Sequence, residues 1–536
     1  MKKNLLAVSL ITLSCLYGVL AAIIILVFAL LEMPITSGIL LSLVIIIIQF
    51  LIAPALNDCV FKWFYKVNFN FEIPEYLKEF IIETCRTHNM KYPKVGFIND
   101  GSPNAFTYGR TKNDARIVIT RGILEILNEE EVKAVVAHEL GHAVHYDMMF
   151  MTAAQIVPLI MYYIFEFLVG SNKNSSSNNS SNSNSNSQSY TAIIGLVAYV
   201  IYILSQYIIL WLSRTREYYA DSFAMERTKN PTALANALVK IGFGLSVGSK
   251  EEKSKVSEGN ALGINNAKIS KGIAIGAINN GGVSKQNIIN AMKWERWNVW
   301  AKINEINSTH PLISNRLLAI SEKCGEFSQE PYIVFNEEKT ESYVGLFAKE
   351  ILMVCAPTLI VITSLIAIFI NIENALLHLG VGGILFVSSL LFNLNYTHKN
   401  KEYKETKVSE LLGEVKVSNI TTIPCILEGT IIGRGNPGCI FNEDFVLQDE
   451  TGIIFLDYNQ PLHILEKLFA IFKSEENMNK RVKIKGWYRR STVPYVELYS
   501  LEVDGKVKKC HTYKALKVFY VILMILAIVA LVGAFL

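Results

Sequence analysis

The sequence carries little charge for its length. Asp, Glu, Lys and Arg make up 18% of its 536 residues, whereas hydrophobic residues make up 51%. This balance excludes a simple soluble enzyme, because a soluble domain normally has about 25% charged residues. The net charge is only +4, and nothing in it indicates nucleic acid as a partner.

Cysteine motifs are also missing. The 8 cysteines are scattered along the chain, and no two of them form a C-x-x-C pair. A cysteine-rich zinc site is therefore not expected, and the thiols that face the cytosol are expected to be reduced. Histidine is scarce as well, with 9 residues in the whole chain, so a pattern that uses two of them is informative.

The hydrophobic residues form seven long blocks. Each block is close to or above the roughly 20 residues that cross a bilayer as a helix. The sequence therefore predicts transmembrane hairpins at 1–56, 148–212 and 351–394, and a final transmembrane helix at 518–536. A tract of Ser and Asn at 171–189 cannot form a core, so it is predicted to be a disordered external loop.

Lysine and arginine are distributed unevenly around these spans. They are dense at 62–133, 214–229 and 399–407, whereas the turns within the first and third hairpins contain none. The positive-inside rule then predicts that the large loops are cytosolic and the short turns external. The first apolar run is too long for the core of a cleavable signal peptide, and no organelle presequence is evident. We therefore expect a multi-pass protein of the plasma membrane.

The most informative pattern is His-Glu-x-x-His at residues 138–142. On a helix, this spacing places two imidazoles one turn apart on the same face, where both reach one metal ion. The glutamate between them can take a proton from a water molecule held there. Asn128 is a suitable N-cap and Glu131 occupies the capping-box position, so the pattern lies on a well-defined predicted helix.

Two histidines leave a catalytic zinc ion one protein ligand short. Glu217 and Asp221 lie four residues apart on one predicted helical face, directly after the fourth span. The third span leaves the cytosol just after Asp147 and the fourth returns to it, so both motifs should emerge at the same membrane surface. The alternative is an exposed acidic pair with no metal.

Together these motifs resemble those of the HtpX-like membrane zinc metalloproteases, whose wider clan includes the CAAX prenyl endopeptidases. The matching segments follow the family's order and cover the first three fifths of the chain: 104–109, 138–142 with Asp147, 213–221 and 310–316.

The resemblance implies a centre with one zinc ion as cofactor. Its ligands would be His138, His142 and Glu217, and Glu139 would be the general base. Asp221 would lie behind a ligand imidazole and orient it, as outer carboxylates of metal sites do.

The resemblance also implies residues that contact the substrate. Asn104, Ala105 and Phe106 would belong to an edge strand that binds substrate main chain by β-augmentation. His310 and Arg316 would help to stabilise the tetrahedral oxyanion.

The expected fold is a multi-pass α-helical membrane protein with a mainly helical, gluzincin-type zinc protease domain. This domain would be formed in two parts, at 57–147 and 213–342. The expected function is endopeptidase cleavage of polypeptides, above all membrane or membrane-proximal proteins at the cytosolic face of the lipid bilayer, in protein quality control.

The region 404–509 departs from the family's pattern. Short strand patterns and one amphipathic helix at 461–473 predict a small OB-like β-barrel. The strands are predicted at 414–417, 429–432, 445–447, 453–455, 482–484 and 496–498. We expect an accessory role for this domain, such as binding a regulatory partner, because the proposed chemistry is complete before it begins.

Three other functions remain open. A CAAX-type prenyl peptidase would have a larger multi-span chamber than these spans supply. In a non-catalytic scaffold with structural zinc, four protein ligands would be expected and Glu139 would have no role. A transporter should contain intramembrane ionisable residues, but Glu166 near an external end is the main candidate and no inverted repeat is evident.

Overall fold

The computed structural model describes most of the chain from residue 58 onward. Before residue 56 it describes the helix Ile11–Leu20 and isolated positions only. The predicted hairpin at 1–56 and helix at 461–473 therefore lie largely outside the described residues. The described ranges are 58–63, 65–175, 185–247, 278–279, 282–339, 341–399, 402–434, 445–461, 479–491 and 493–535.

Helices account for most of the described structure. In chain order they are α1 (Glu75–Thr87), α2 (Arg121–Ile126), α3 (Glu129–Val144), α4 (Asp147–Ser175), α5 (Ser185–Thr228), α6 (Pro231–Val247), α7 (Lys285–Trp297), α8 (Val299–Ile306), α9 (Ile313–Lys323), α10 (Val344–Ile370), α11 (Ala375–Thr397), α12 (Val408–Gly413) and α13 (Thr512–Gly533).

The strands form three sheets. They are β1 (Lys94–Ile98), β2 (Ala105–Gly109), β3 (Ala115–Thr120), the two-residue pair β4 (Ile278–Asn279) and β5 (Gly282–Val283), β6 (Lys404–Glu405), β7 (Ile423–Arg434), β8 (Phe445–Gln448), β9 (Ile453–Asp457), β10 (Arg481–Arg490), β11 (Pro494–Val503) and β12 (Lys506–Lys509).

Five described helices are long and apolar enough to cross a membrane. They correspond to five of the seven predicted blocks and agree with a multi-pass membrane protein. α4 continues to Ser175 and α5 begins at Ser185, so both ends of the predicted loop at 171–189 are helical, and its middle lies outside the described residues. The candidate spans are Asp147–Glu166, Ile193–Thr228, Val344–Ile370, Ile372–Thr397 and Thr512–Gly533.

The chain divides into two compact units. The first comprises Met1–Leu238, Lys255–Asn266 and Glu305–Tyr332, and the second comprises the remaining segments up to Leu536. The following description takes each unit by itself.

The first unit contains a three-stranded sheet beside the motif helix α3. The strand order is β1-β3-β2, with β1 parallel and β2 antiparallel to the central β3. All six residues of β3 are buried, as expected for a central strand rich in Val and Ile. β2 is an edge strand of this sheet, and it packs against α3.

The predicted N-terminus of α3 is confirmed. The Asn128 side chain accepts a hydrogen bond from the Glu131 N–H (2.9 Å), and Glu131 accepts one from the Asn128 N–H (3.0 Å). This capping box satisfies two main-chain donors that the first turn leaves without partners, so it fixes where the helix begins.

The second unit contains a closed five-stranded barrel. Around the barrel the strands follow the order β7, β8, β9, β11 and β10, and β10 pairs with β7 to close it. Only β9 and β11 run parallel to each other in this ring. Five of the six predicted strands are confirmed, since they lie within β7, β8, β9, β10 and β11.

The predicted strand at 414–417 is wrong. This segment follows α12 without regular structure, although Val415 and Val417 are buried as the alternating pattern required. Asn298 Nδ2 donates to the Val415 carbonyl (2.9 Å), and Trp294 Nε1 donates to the Val417 carbonyl (2.8 Å). Side chains of α7 and of the residue that follows it therefore bond to these carbonyls in place of a neighbouring strand.

Candidate metal centre and active site

Three side chains of the predicted site converge in the first unit. His138 and His142 extend from α3, and Glu217 extends from α5 towards them. Each residue offers one ligand atom, and these atoms all lie within 4.8 Å of one another. His138 Nε2 and His142 Nε2 are each 3.5 Å from a carboxylate oxygen of Glu217. This cluster could hold a metal ion.

A glycine allows the two helices to approach closely at this point. Gly141 lies between the two histidines, and a Cβ atom added there would be 3.2 Å from both the Ala220 Cα and the Phe223 Cβ. Real Cβ contacts are rarely so short, so a larger side chain would push α3 and α5 apart. The absence of a side chain at Gly141 therefore allows α5 to pack close enough to α3 for Glu217 to reach the histidines.

Carboxylates lie behind both imidazoles. His138 Nδ1 is 2.9 Å from Asp221 Oδ1, and His142 Nδ1 is 2.7 Å from Asp147 Oδ2. Each histidine thus directs its other ring nitrogen, Nε2, towards Glu217. Such pairs fix the orientation and the tautomer of an imidazole and increase its basicity.

Two buried arginines hold these carboxylates. Arg316 donates from Nε and from a terminal nitrogen to Asp221 at 2.9 and 2.6 Å, and another nitrogen lies 3.5 Å from Glu217. Arg216 lies 2.5 Å from Asp147 Oδ1 and also donates to the His145 carbonyl. The bidentate pair of Arg316 with Asp221 is geometrically specific, so Asp221 has little freedom to turn, whereas Asp147 is held by a single ion pair with Arg216.

The surrounding carboxylates favour the protonated forms of His138 and His142, but burial outweighs this effect at His310. Burial disfavours the charged imidazole of His138, but Asp221 and Glu217 outweigh burial and raise the pKa of His138 to about 9. Burial also disfavours the charged form of His142, yet the hydrogen bond with Asp147 raises its pKa. For His310, burial prevails and lowers the pKa, with Arg316 acting in the same direction.

The donor atoms also fit a metal ion. Glu217 Oε2 is buried and accepts no hydrogen bond from the described residues, which is costly for a carboxylate oxygen. Two imidazole nitrogens and one carboxylate oxygen form a ligand set that zinc commonly uses in catalytic sites. Nitrogens of His138 and Arg316 lie 3.5 Å from this oxygen without a hydrogen bond to it, so a cation within the cluster would supply the missing partner.

Glu139 lies beside this cluster and contacts the edge strand. Its side chain is 2% exposed, and Thr107 Oγ1 on β2 donates to Glu139 Oε2 at 2.8 Å. Asn104 and Ala105 are buried where β2 begins. The Asn104 N–H donates to Thr120 Oγ1, and the Asn104 carbonyl accepts from the Thr120 N–H. The predicted edge segment therefore lies next to the motif helix.

The last two predicted residues lie close to Glu217. His310 Nε2 is 3.6 Å from Glu217 Oε1, and its Nδ1 is 2.9 Å from Thr309 Oγ1. Arg214 donates to the carbonyls of Glu305, Ile306 and Ser308, which lie just before His310 along the chain. Arg316 is fully buried and bound by Asp221, as described above.

Sequence reasoning missed three residues around the site. Asp147 was recognised only as part of the family pattern, and Arg216 and Thr107 were given no role. The position of Asp147, five residues after His142 and at the start of a span, is a signal that could have identified it. Thr107 had no comparable signal, because its contact depends on how β2 packs against α3.

The fold and the site together define a metalloprotease with membrane-spanning helices. The family model for Peptidase family M48 matches residues 73–324. A Protease HtpX homolog from Methanothermobacter thermautotrophicus is 37% identical over 233 residues, which are 43% of this chain and 83% of that protein. The chain belongs to peptidase family M48, and the resemblance to HtpX-like proteases is confirmed at that level.

The match to other similar proteins covers a smaller share of their length. Protease HtpX homologs from Campylobacter concisus and Aquifex aeolicus are 34% and 33% identical, over 31% and 32% of this chain. The chain spans 56% and 57% of these two relatives. The crystal structure of S. mikatae Ste24p has 18% identity and a TM-score of 0.34, covering 59% of this chain and 65% of that one. That similarity is too weak to define the fold.

Proposed function

We propose that the protein is a zinc-dependent endopeptidase that cleaves membrane or membrane-proximal proteins at the cytosolic face of the plasma membrane. The convergence of His138, His142 and Glu217 beside Glu139 carries this proposal. The family assignment supports the peptidase activity. We infer a role in protein quality control from the resemblance to HtpX-like proteases.

The proposed ligands of one zinc ion are His138, His142 and Glu217. Zinc bound there would polarise the scissile carbonyl and lower the pKa of a water molecule beside it. Asp221 and Asp147 orient the two imidazoles, and the buried arginines hold these acids in place. Arg316 was expected to stabilise the oxyanion. Because its guanidinium is bound by Asp221 and lies near Glu217, we now propose that it positions these carboxylates.

Glu139 is the proposed general base. Its carboxylate accepts a proton from the attacking water and delivers that proton to the leaving nitrogen as the C–N bond breaks. One water molecule is consumed for each peptide bond. His310 is the proposed donor to the developing oxyanion, since its Nε2 lies 3.6 Å from Glu217 Oε1 and its Nδ1 is 2.9 Å from Thr309 Oγ1.

We propose that the substrate binds as an added strand along β2. Asn104, Ala105 and Phe106 would form the start of the substrate-binding segment, because β2 pairs with β3 on one side only in the described sheet. The Asn104 N–H already donates to Thr120 Oγ1, so the main-chain donors for a substrate would come from the residues after it. The Phe106 side chain packs into a cluster with Phe61, so only its main chain is part of this proposal. An extended substrate segment would then run alongside the motif helix.

The cytosolic placement is a proposal from charge. The loops that carry the site are rich in Lys and Arg, and the turns of the first and third hairpins have none. α4 begins at Asp147 and α5 carries Glu217 near its end, so both parts of the site adjoin the same side of one helical hairpin. Substrates near the bilayer surface are therefore favoured.

The C-terminal barrel is proposed to be an OB-like domain. Its five strands close into one barrel, and the predicted helix falls in the segment between β9 and β10, as in that layout. We further propose that its outer surface binds a regulatory partner. We also propose the transmembrane segments 1–56, 148–212, 351–394 and 518–536 and the protease segments 57–147 and 213–342, as the sequence predicts them.

A digestion assay tests the proposed function. Detergent-purified protein should cleave casein, lose this activity with a chelator and recover it when zinc is restored. Glu139→Gln should be inactive under the same conditions while its zinc content is unchanged. Wild-type protein that holds stoichiometric zinc but cleaves neither casein nor an unfolded membrane protein would contradict the proposal.

A further inference from the structure

One side chain of β2 contacts the glutamate of the motif at two points. Thr107 Oγ1 lies 2.8 Å from Glu139 Oε2 and 3.1 Å from the main-chain oxygen of Glu139. The hydroxyl has one hydrogen and two lone pairs, so it can donate to one of these atoms while it accepts from another group. It therefore connects the edge strand directly to Glu139.

The pleat of β2 determines where this hydroxyl points. Successive side chains of a strand alternate between the two faces, so Thr107 lies on the face opposite to Phe106 and Tyr108. Those two aromatic residues pack in a buried cluster with Phe61, which leaves Thr107 on the side of α3. Thr107 pairs with Ile117 of β3, and a slip of one residue would turn the hydroxyl away.

A hydroxyl group at this position suits both protonation states of the general base. When Glu139 is ionised, the Thr107 hydroxyl donates to Oε2. After Glu139 has accepted the proton from water, its carboxyl group becomes a donor, and Thr107 can accept from it. The Thr107 hydrogen then turns to the main-chain oxygen of Glu139. Only the hydroxyl hydrogen has to move, so the carboxyl group keeps its place until it releases the proton to the leaving nitrogen.

We propose that Thr107 is a positioning residue for Glu139, and that it links the proposed substrate-binding strand to proton transfer. This inference rests on the proposed function. A substrate segment that pairs with the free edge of β2 would be held by the same strand that orients the base. The distance between the scissile bond and the carboxylate would thus be set by one short structural element.

Two variants test this role in the full-length protein. Thr107→Val has a similar shape but no hydroxyl, and Thr107→Ser keeps the hydroxyl. A hydrogen bond to a charged group contributes enough that Thr107→Val should lower kcat by about 10- to 100-fold. The KM for an unstructured model peptide and the zinc content should stay close to the wild-type values, because the hydroxyl contacts Glu139 and not the proposed ligands. Thr107→Ser should restore most of kcat.

Thr87→Val is the matched control. The Thr87 hydroxyl donates to the Glu83 carbonyl on an exposed part of α1, so its removal should leave kcat unchanged. Where Thr107→Val fails to fold or to keep zinc, Thr107→Ala and Thr107→Ser form the decisive pair, with a low kcat expected for alanine alone. The role is overturned when Thr107→Val and the wild type have equal kcat, or when serine and the hydroxyl-free variants are equally impaired.

The assay separates this inference from the proposed function. A wild-type protein that holds zinc and does not cleave, or a Glu139→Gln variant that cleaves normally, contradicts the peptidase mechanism itself. If the wild type cleaves and Thr107→Val is equally active, only the proposed role of Thr107 is contradicted, and the peptidase mechanism stands.

Discussion

Gly141→Ala tests the contact that brings the two ligand-bearing helices together. The added methyl group would meet the Ala220 Cα and Phe223 Cβ at 3.2 Å and the Phe223 Cδ1 at 3.3 Å. Two of these atoms belong to a side chain that can yield, but the Ala220 Cα belongs to the main chain of α5. The helices must therefore separate by a few tenths of an ångström.

The magnitude follows from two opposing effects. Overpacking a close contact costs about 1–3 kcal/mol, whereas alanine is favoured over glycine inside a helix by about 1 kcal/mol. We expect a net loss in the free energy of unfolding of up to about 2 kcal/mol. Metal affinity should fall as well, because Glu217 moves with α5 while both histidines move with α3.

Thermal unfolding in detergent and a competitive zinc titration measure these two effects. Gly345→Ala is the control, since a Cβ atom there meets nothing within 4 Å and the residue lies in the first turn of α10. The packing argument is refuted when Gly141→Ala matches the wild type in both melting temperature and zinc affinity. An equal change in Gly345→Ala would also refute it.

Four further variants test other parts of the structure. Asp147→Asn and Asp221→Asn should each weaken zinc binding about 10- to 100-fold, because the loss of a carboxylate behind a ligand imidazole has that effect in other metal sites. Unchanged affinity in a metal titration would exclude the proposed role of these carboxylates in orienting the imidazoles. Arg316→Lys should lower the melting temperature, since one ammonium cannot replace the two bonds to Asp221; a melting curve equal to the wild type would count against it. Removal of residues after 341 should make α7 sensitive to protease, because Trp294 loses its bond to Val417 and its stacking with Arg490. Resistance of α7 in the truncated protein would show instead that the C-terminal region is separable.

Local patterns predicted the motif helix and most of the barrel strands. The capping box of Asn128 and Glu131 and the spacing of His138 and His142 depend on residues within one or two helical turns. Short strand patterns predicted five barrel strands for the same reason. The strand at 414–417 failed because its hydrogen-bond partners, Trp294 and Asn298, lie more than a hundred residues earlier in the chain.

The sequence predicted the residues at the centre of the site but not the side chains that surround them. Glu217 could be proposed because topology returns α5 to the membrane surface where α3 ends. The arginines behind the carboxylates and the hydroxyl of Thr107 could not, since these contacts depend on side-chain directions that a sequence does not contain. Arg316 shows this most clearly: its position in the pattern indicated the cleft, whereas its guanidinium is buried against Asp221.

The zinc content of two variants, measured beside the wild type by elemental mass spectrometry, tests the central claim most directly. The wild-type protein should contain one zinc ion per chain, and Glu139→Gln should contain the same amount while failing to cleave a peptide. Glu217→Ala should lose most of its zinc, because the two histidines alone leave the site one protein ligand short. Stoichiometric zinc in Glu217→Ala would contradict the proposed metal centre.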